Sequence, residues 1–274
     1  MIRSIVRSAA LLGTSAIIVA HAGTGATQSG VSITFLANEG VLLSSGDRQV
    51  LIDALFQKYE TGYALPADST RAALERAAAP FNSVDLILVT HRHGDHFHPA
   101  PVVRHLLANS GATLVTSKQV IDSLTGRLPA GHGLTPRLVA RTTVRGSRRR
   151  EVVAGISVEL LGLPHGGRRH RNVEHLGYIV DLGGRRVLHV GDTDFDESTF
   201  APFRLDTARI DVALLPLWMV TSAEGKRVIE RWIRPRQVIA FHVGDDDMED
   251  APRAVRAAMP TAITFTRSLE SRSW

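Results

Sequence analysis

Residues Val89–Pro99 read VTHRHGDHFHP, which sets four of the chain's 12 histidines and one aspartate directly behind the apolar run DLILV, Asp85–Val89. A short run of Leu, Ile and Val between polar borders is the pattern of a buried strand. His91, His93, Asp95 and His96 therefore begin where that strand ends, in the spacing H-x-H-x-D-H. The Gly94 turn can fold these four donors toward one point. Imidazole nitrogens and a carboxylate oxygen suit zinc and related divalent ions. The chain has no cysteine, so a metal here must be held by nitrogen and oxygen.

Similar apolar runs recur at Val31–Ala37, Gln49–Phe56, Ala112–Ser117, Ile156–Leu163, His175–Leu182, Arg185–Asp192, Asp211–Leu217 and Gln237–Val243. Three of the later ones lead into a further candidate ligand: His165, Asp192 (behind Gly191) and His242. Between the strands lie helical patterns. One follows a capping candidate, Asp68 or Ser69, and stops before Pro80; another has Pro in its first turn and Gly111 beyond its end. Strands dominate early and alternate with helices later, which predicts two sheets with helices outside them in a single domain, residues 31–274. RGSRRR, Arg145–Arg150, reads as an exposed loop within a hairpin.

The first residues belong to a different class of segment. Arg3 and Arg7 precede an apolar stretch from Ala9 to Ala20, and Ala20-His21-Ala22 is a small-residue cleavage pattern. Residues 1–22 therefore read as a secretory signal peptide, and residues 23–30 as a flexible mature N-terminus. The apolar stretch is short for a spanning helix; an uncleaved amphipathic anchor is the competing reading. Export implies a periplasmic or secreted protein with no stable membrane span after cleavage. The formal net charge of +5 falls to +3 without Arg3 and Arg7, a mild excess that does not call for a nucleic-acid partner.

The H-x-H-x-D-H motif followed by His165, Asp192 and His242, in that order and at strand ends, resembles the metallo-β-lactamase superfamily over nearly all of the mature chain. FLANEGVLLSSGDRQVLIDALF (Phe35–Phe56) and HVGDTD (His189–Asp194) are most similar to its lactonase-like and phospholipase D-like hydrolase branch. The resemblance implies an α/β fold, a four-layer αββα sandwich, with two divalent metal ions between its sheets: Zn2+ first, with Mn2+ and Fe open. It implies that His91, His93 and His165 hold one ion, that Asp95, His96 and His242 hold the other, and that Asp192 bridges them. Asp53 would orient a ligand histidine; it also reads as a strand-end turn residue. Two close cations lower the pKa of a shared water toward about 7. The implied activity is an exported hydrolase in which a metal-bridging hydroxide cleaves an ester, lactone, amide or phosphodiester, with Asp95 orienting the hydroxide or carrying its proton. An iron-dependent oxidoreductase and a non-catalytic metal-binding protein are the alternatives. β-Lactam cleavage does not follow, because fold does not determine function.

The expected partner is a small-molecule substrate. Arg168, Arg169 and Arg171 follow His165 and favour an anionic one if their loop rims the cleft; such a run also reads as a solvated loop. His175 and Tyr63 are further candidates for substrate contact, His175 also reading as a packed strand histidine and the Phe56, Tyr59 and Tyr63 loop as aromatics that pin it down. His98 reads as a helix start, His189 as a packed residue, His105 and His132 as surface residues. Trp218 reads as core or pocket wall, and Trp232 as the buried face of a helix. The oligomeric state is not legible.

Overall fold

Residues 30–57, 62–142 and 144–274 are described by the computed structural model of the protein; the expected signal peptide, Tyr59 and most of the expected N-terminal tail lie outside them. The logic of the architecture is visible in one strand, β4, Val84–Val89. Leu86 and Leu88 point into one apolar core, while Val84, Ile87 and Val89 point into another. Side chains alternate along a strand, so a strand apolar on both faces must lie between two covering layers.

The first sheet comprises β1 (Ser32–Ala37), β2 (Gly40–Ser45), β3 (Arg48–Ile52), β4, β5 (Thr113–Thr116) and β6 (Leu138–Ala140), joined at the β1 edge by the final strand β14 (Ser271–Ser273). The second runs β7 (Arg148–Val153), β8 (Ile156–Leu161), β9 (Gly177–Leu182), β10 (Arg185–His189), β11 (Val212–Pro216), β12 (Gln237–Phe241) and β13 (Ile263–Thr264). In each sheet the early strands pair antiparallel and the later ones parallel, except that β14 joins β1 antiparallel. Helices α1 (Asp68–Glu75), α2 (Pro99–Ala108) and α3 (Lys118–Thr125) belong to the first half; α4 (Glu197–Phe200), α5 (Leu217–Thr221), α6 (Ala223–Val228) and α7 (Ala251–Ala258) belong to the second.

Three apolar clusters separate these layers. Between the sheets lie Ile33, Leu43, Leu86, Leu88, Val180, Leu214 and Phe241, among others. One outer cluster joins the first sheet to Leu74, Val102, Leu106 and Val120 of its helices; the other joins the second sheet to Phe200, Met219, Val228 and Val255. The fold is thus the expected α/β sandwich in four layers, αββα. Tyr178 pins the two sheets together: its hydroxyl donates across the interface to the carbonyl of Val89, 2.7 Å away.

Several local expectations are corrected. Gly40–Ser45 is a strand, which the hairpin turn at Gly46 separates from β3. Arg148–Arg150 are not loop residues but open the edge strand β7, where Arg148 pairs with Glu159 and Arg150 with Asp181. Neither Asp68 nor Ser69 caps α1; the cap position is Ala67, with no side-chain bond. His105 is fully buried, its Nδ1 donating to the carbonyl of Leu74, because helix α2 turns this face onto α1. Among the described residues, no helix is long and apolar enough to cross a membrane.

Leu214 is fully buried between the sheets. Leu214→Ala should lower unfolding free energy by about 2–5 kcal/mol, the usual cost of a buried cavity, as measured by urea denaturation.

Candidate metal centre

Parallel strands deliver their C-terminal ends to one edge, and β3, β4, β8, β10 and β12 all end at the same mouth. Asp53 follows β3, His91 follows β4, His165 lies beyond β8, and Asp192 and His242 follow β10 and β12. Three of these strand ends turn sharply. Asp53, Gly191 and His242 have φ of 47°, 58° and 55°, and Asn38, just beyond β1, has 50°. This left-handed region costs about 1–3 kcal/mol for a residue with a side chain. Here it bends the chain off each strand and into the mouth. Gly191 has a second reason to be glycine: a Cβ there would lie 2.6 Å from His175 Nε2 and 2.9 Å from Thr90 Cβ.

The seven expected donors come together in two overlapping groups. His91, His93, His165 and Asp192 offer atoms within 4.8 Å of one another, and so do Asp95, His96, Asp192 and His242. Asp192 belongs to both, and its two oxygens divide between them. Oδ2 lies 3.8 Å from His91 Nε2 and 3.6 Å from His165 Nε2, whereas Oδ1 lies 3.3 Å from His96 Nε2 and 3.0 Å from His242 Nε2. Asp95 Oδ2 completes the second group at 3.5 Å from both His96 Nε2 and His242 Nε2. His165 Nε2 and His93 Nδ1 stand 3.1 Å apart in the first. Donors on a tetrahedral zinc ion are separated by about 3.3 Å, given metal–nitrogen bonds near 2.0–2.1 Å. The spacings therefore fit a cation in each group.

Hydrogen bonding points the same way. The Nε2 atoms of His91, His96 and His242 and Oδ1 of Asp192 are buried without a hydrogen-bond partner. Such groups are costly unless a cation takes their lone pairs. The opposite ring nitrogens of three ligand candidates are held. His165 Nδ1 donates to the Gly166 carbonyl (2.7 Å) and His96 Nδ1 to Asp53 Oδ2 (2.9 Å). Thr90 Oγ1 donates to Asp53 Oδ2 at 2.6 Å and so accepts from His91 Nδ1 at 3.0 Å. Each bond places the proton on Nδ1 and leaves the Nε2 lone pair facing the centre. Asp53, fully buried and also bonded to the Thr90 N–H, thus positions two histidines rather than one.

The two groups differ electrostatically. Burial, and then neighbouring imidazoles, hold His91 low and bring His93 to about 4. In the second group burial opposes charge but loses to the carboxylates: Asp192, with Asp95, raises His96 and brings His242 to about 10. Asp95 itself is held low: burial pushes it up, but the charge of His96 and the hydrogen bonds from His242 and His96 together outweigh that. The carboxylates around His96 and His242 thus favour positive charge at that point, as a cation would supply.

The centre opens into a cleft of 740 Å³ lined by Tyr63, His93, Asp95, Arg169, His170 and Trp218, among others. Tyr63 and Trp218 both set their rings edge-on to His242, at 4.5 and 4.7 Å. Trp218 is therefore pocket wall, whereas Phe56 is core. Trp232 is only half-buried and donates to Glu197. His175 and Arg168 do not line this cleft; they line a neighbouring cavity behind the His165 loop. His98 is the cap residue of α2 and accepts from the Gln57 N–H, while His189 is packed and bonded to the Glu39 carbonyl. His132 is half-buried in its loop and accepts from the Leu134 N–H.

Three contributors were not expected. The His170 ring lies edge-on to His93, 4.8 Å between centroids, and tilted against His165 at 4.5 Å; its position after GGRR gave no strand-end signal. Glu39 is fully buried, 3.5 Å from His96 Nδ1, and burial next to Asp192 raises its pKa. Thr90, inside the opening motif, carries the link from His91 to Asp53.

A family model described as a beta-lactamase superfamily domain matches residues 48–266. Among curated proteins, the chain is 24% identical over 255 residues to a UPF0173 metal-dependent hydrolase of Pelotomaculum thermopropionicum, covering 88% of this chain and 99% of the other. Among solved structures, it resembles the metallo-beta-lactamase fold protein YhfI from Bacillus subtilis, with a TM-score of 0.61 at 12% identity over 89% and 100% of the two chains. It also resembles CmlA, a diiron beta-hydroxylase from Streptomyces venezuelae, with a TM-score of 0.54 at 14% identity, covering 90% of this chain and 54% of that one. At these identities the structural likenesses speak to fold alone.

Two outcomes are expected. Asp53→Asn should weaken metal binding by roughly 10–100-fold, the usual effect of losing a carboxylate behind a ligand histidine, measured by competition with a chromogenic chelator. Metal uptake should release protons from His96 and His242, because only neutral imidazole ligates; the calorimetric enthalpy should then vary with buffer ionisation at neutral pH, and its constancy would contradict the assignment.

Proposed function

This chain belongs to the metallo-β-lactamase superfamily, and as a metal-dependent hydrolase of that fold we propose that it holds two divalent cations, zinc first, and cleaves an ester, lactone, amide or phosphodiester of a small molecule. The division of the two Asp192 oxygens between two imidazole groups carries this reading. His91, His93 and His165 would hold one ion, Asp95, His96 and His242 the other, with Asp192 between them. When bound, such a pair supplies an acidified water and polarises the oxygen of the scissile bond.

The remaining chemistry belongs to the side chains. Asp95 presents a carboxylate to the cleft and is held ionised, so it can accept a hydrogen bond from the attacking water and orient it. Tyr63 stands over the same cleft; burial, and then Asp95 and Asp192, push its pKa to about 12, so its hydroxyl stays protonated and can donate to developing negative charge on the substrate. The edge-on rings of Tyr63 and Trp218 supply an apolar wall. Donors of nitrogen and oxygen alone also accept manganese and iron, so metal content and oxygen consumption measured on the purified protein separate hydrolase from iron-dependent oxidoreductase.

We further propose that the protein is exported, to the periplasm or beyond, on the pattern of residues 1–22. Cell fractionation with N-terminal sequencing should recover a chain beginning after Ala22; a cytosolic chain that retains Met1 would refute export.

His93→Ala and Asp192→Ala should each abolish hydrolysis across an ester, lactone and phosphodiester panel and reduce bound metal, with the far-ultraviolet circular dichroism unchanged. Turnover by fully metal-stripped wild-type protein at the loaded rate would falsify the mechanism.

A further inference from the structure

A second cavity, of 360 Å³, lies on the far side of the His165 loop from the metal cleft. A 560 Å³ lobe lies against both, sharing His165, Gly167, Arg168 and Asp194 with the cavity, and Asp192, Trp218 and His242 with the cleft. Four arginines line the cavity: Arg141, Arg145, Arg168 and Arg171. Arg141 is already paired with Glu151 at 2.7 Å. Among the described residues, no carboxylate stands within ion-pair distance of the other three, which are exposed. Two acids also line the space. Glu174 is engaged by the N–H of Gln119 at the start of α3, 3.0 Å away, and Asp194 lies at the border with the lobe. His175 also lines the cavity, 5% exposed, with neither ring nitrogen hydrogen-bonded and its Nε2 packed toward Gly191. An imidazole carries at least one N–H donor in either protonation state. Three guanidinium groups without a close ion pair, around a cavity whose lining includes an unpartnered imidazole, leave positive charge that an oxyanion would complement.

We propose that this cavity is an anion subsite that receives a carboxylate or phosphate group of the substrate, bound by Arg145, Arg168 and Arg171 with His175 in its lining. The claim rests on the hydrolase reading for its link to turnover, but not for binding itself. An anion held there lies across the His165 loop from the scissile bond, so the preferred substrate is an elongated molecule with an acidic end.

Sulfate is the probe, titrated by calorimetry into the full chain, metal-loaded and metal-stripped. Wild type should bind it in both states, and Arg145→Gln/Arg171→Gln should bind it roughly tenfold or more weakly, as expected for lost charge-assisted bonds. Equal affinity in the variant, or sulfate binding that vanishes on metal removal, overturns the subsite. In a second arm, a carboxylate-bearing ester and its neutral methyl counterpart are compared as substrates. The double variant should raise KM for the acidic ester alone, with kcat little changed; an equal rise for both overturns the link to substrate. Should neither ester nor any other panel member be cleaved, the hydrolase reading fails, while the sulfate titration still decides the subsite.

Discussion

One carboxylate carries the design of this protein. Asp192 faces His91 and His165 with one oxygen and His96 and His242 with the other, all between 3.0 and 3.8 Å. No single imidazole nitrogen in that cluster is unusual; what is unusual is that several point at one another, buried, without donors to satisfy them. Like groups repel or go unsolvated in such a place unless a cation joins them. The rest of the molecule can be understood as the means of holding that arrangement. Thr90 and Asp53 set the rings, the left-handed residues aim them, and the strands bring them to one edge.

Much of this was legible in the amino-acid order, for a specific reason. A buried strand of a sandwich is apolar on both faces, so its end stands out as the first polar residue after Leu, Ile or Val. His91, Asp192 and His242 all sit within a few residues of such a border, so the ligand candidates could be read from it; their division into two groups came from the family resemblance. Asp53 was an orienting carboxylate only by the family resemblance, and its second duty through Thr90 was not legible at all, because a hydroxyl relay leaves no periodic trace. The left-handed turns at Asp53 and His242 were equally hidden; glycine advertises that backbone at Gly191, and histidine does not.

Other misreadings share a physical cause. Arg148–Arg150 look like a solvated loop because an edge strand exposes its side chains, and only the partner residues Glu159 and Asp181 across the ladder disclose it. His105 looks like a surface residue because its helix is short and its burial depends on α1 lying against it. His170 reaches the cleft through a loop whose path no local pattern dictates, yet its ring touches two ligand candidates. Loops decide which molecules a site admits, and they are where sequence periodicity is silent.

The ligand candidates are drawn from both sheets: His91, His93, Asp95 and His96 from the first, His165, Asp192 and His242 from the second. An unfolded chain, with these residues scattered over more than half its length, has no comparable place for an ion. Metal occupancy and conformational stability are consequently linked quantities, and ions at a thousand times their dissociation constant would add about 4 kcal/mol to the native state. Metal held between these residues would then serve as a clasp across the seam of the sandwich, and its depletion would loosen the architecture as well as the chemistry.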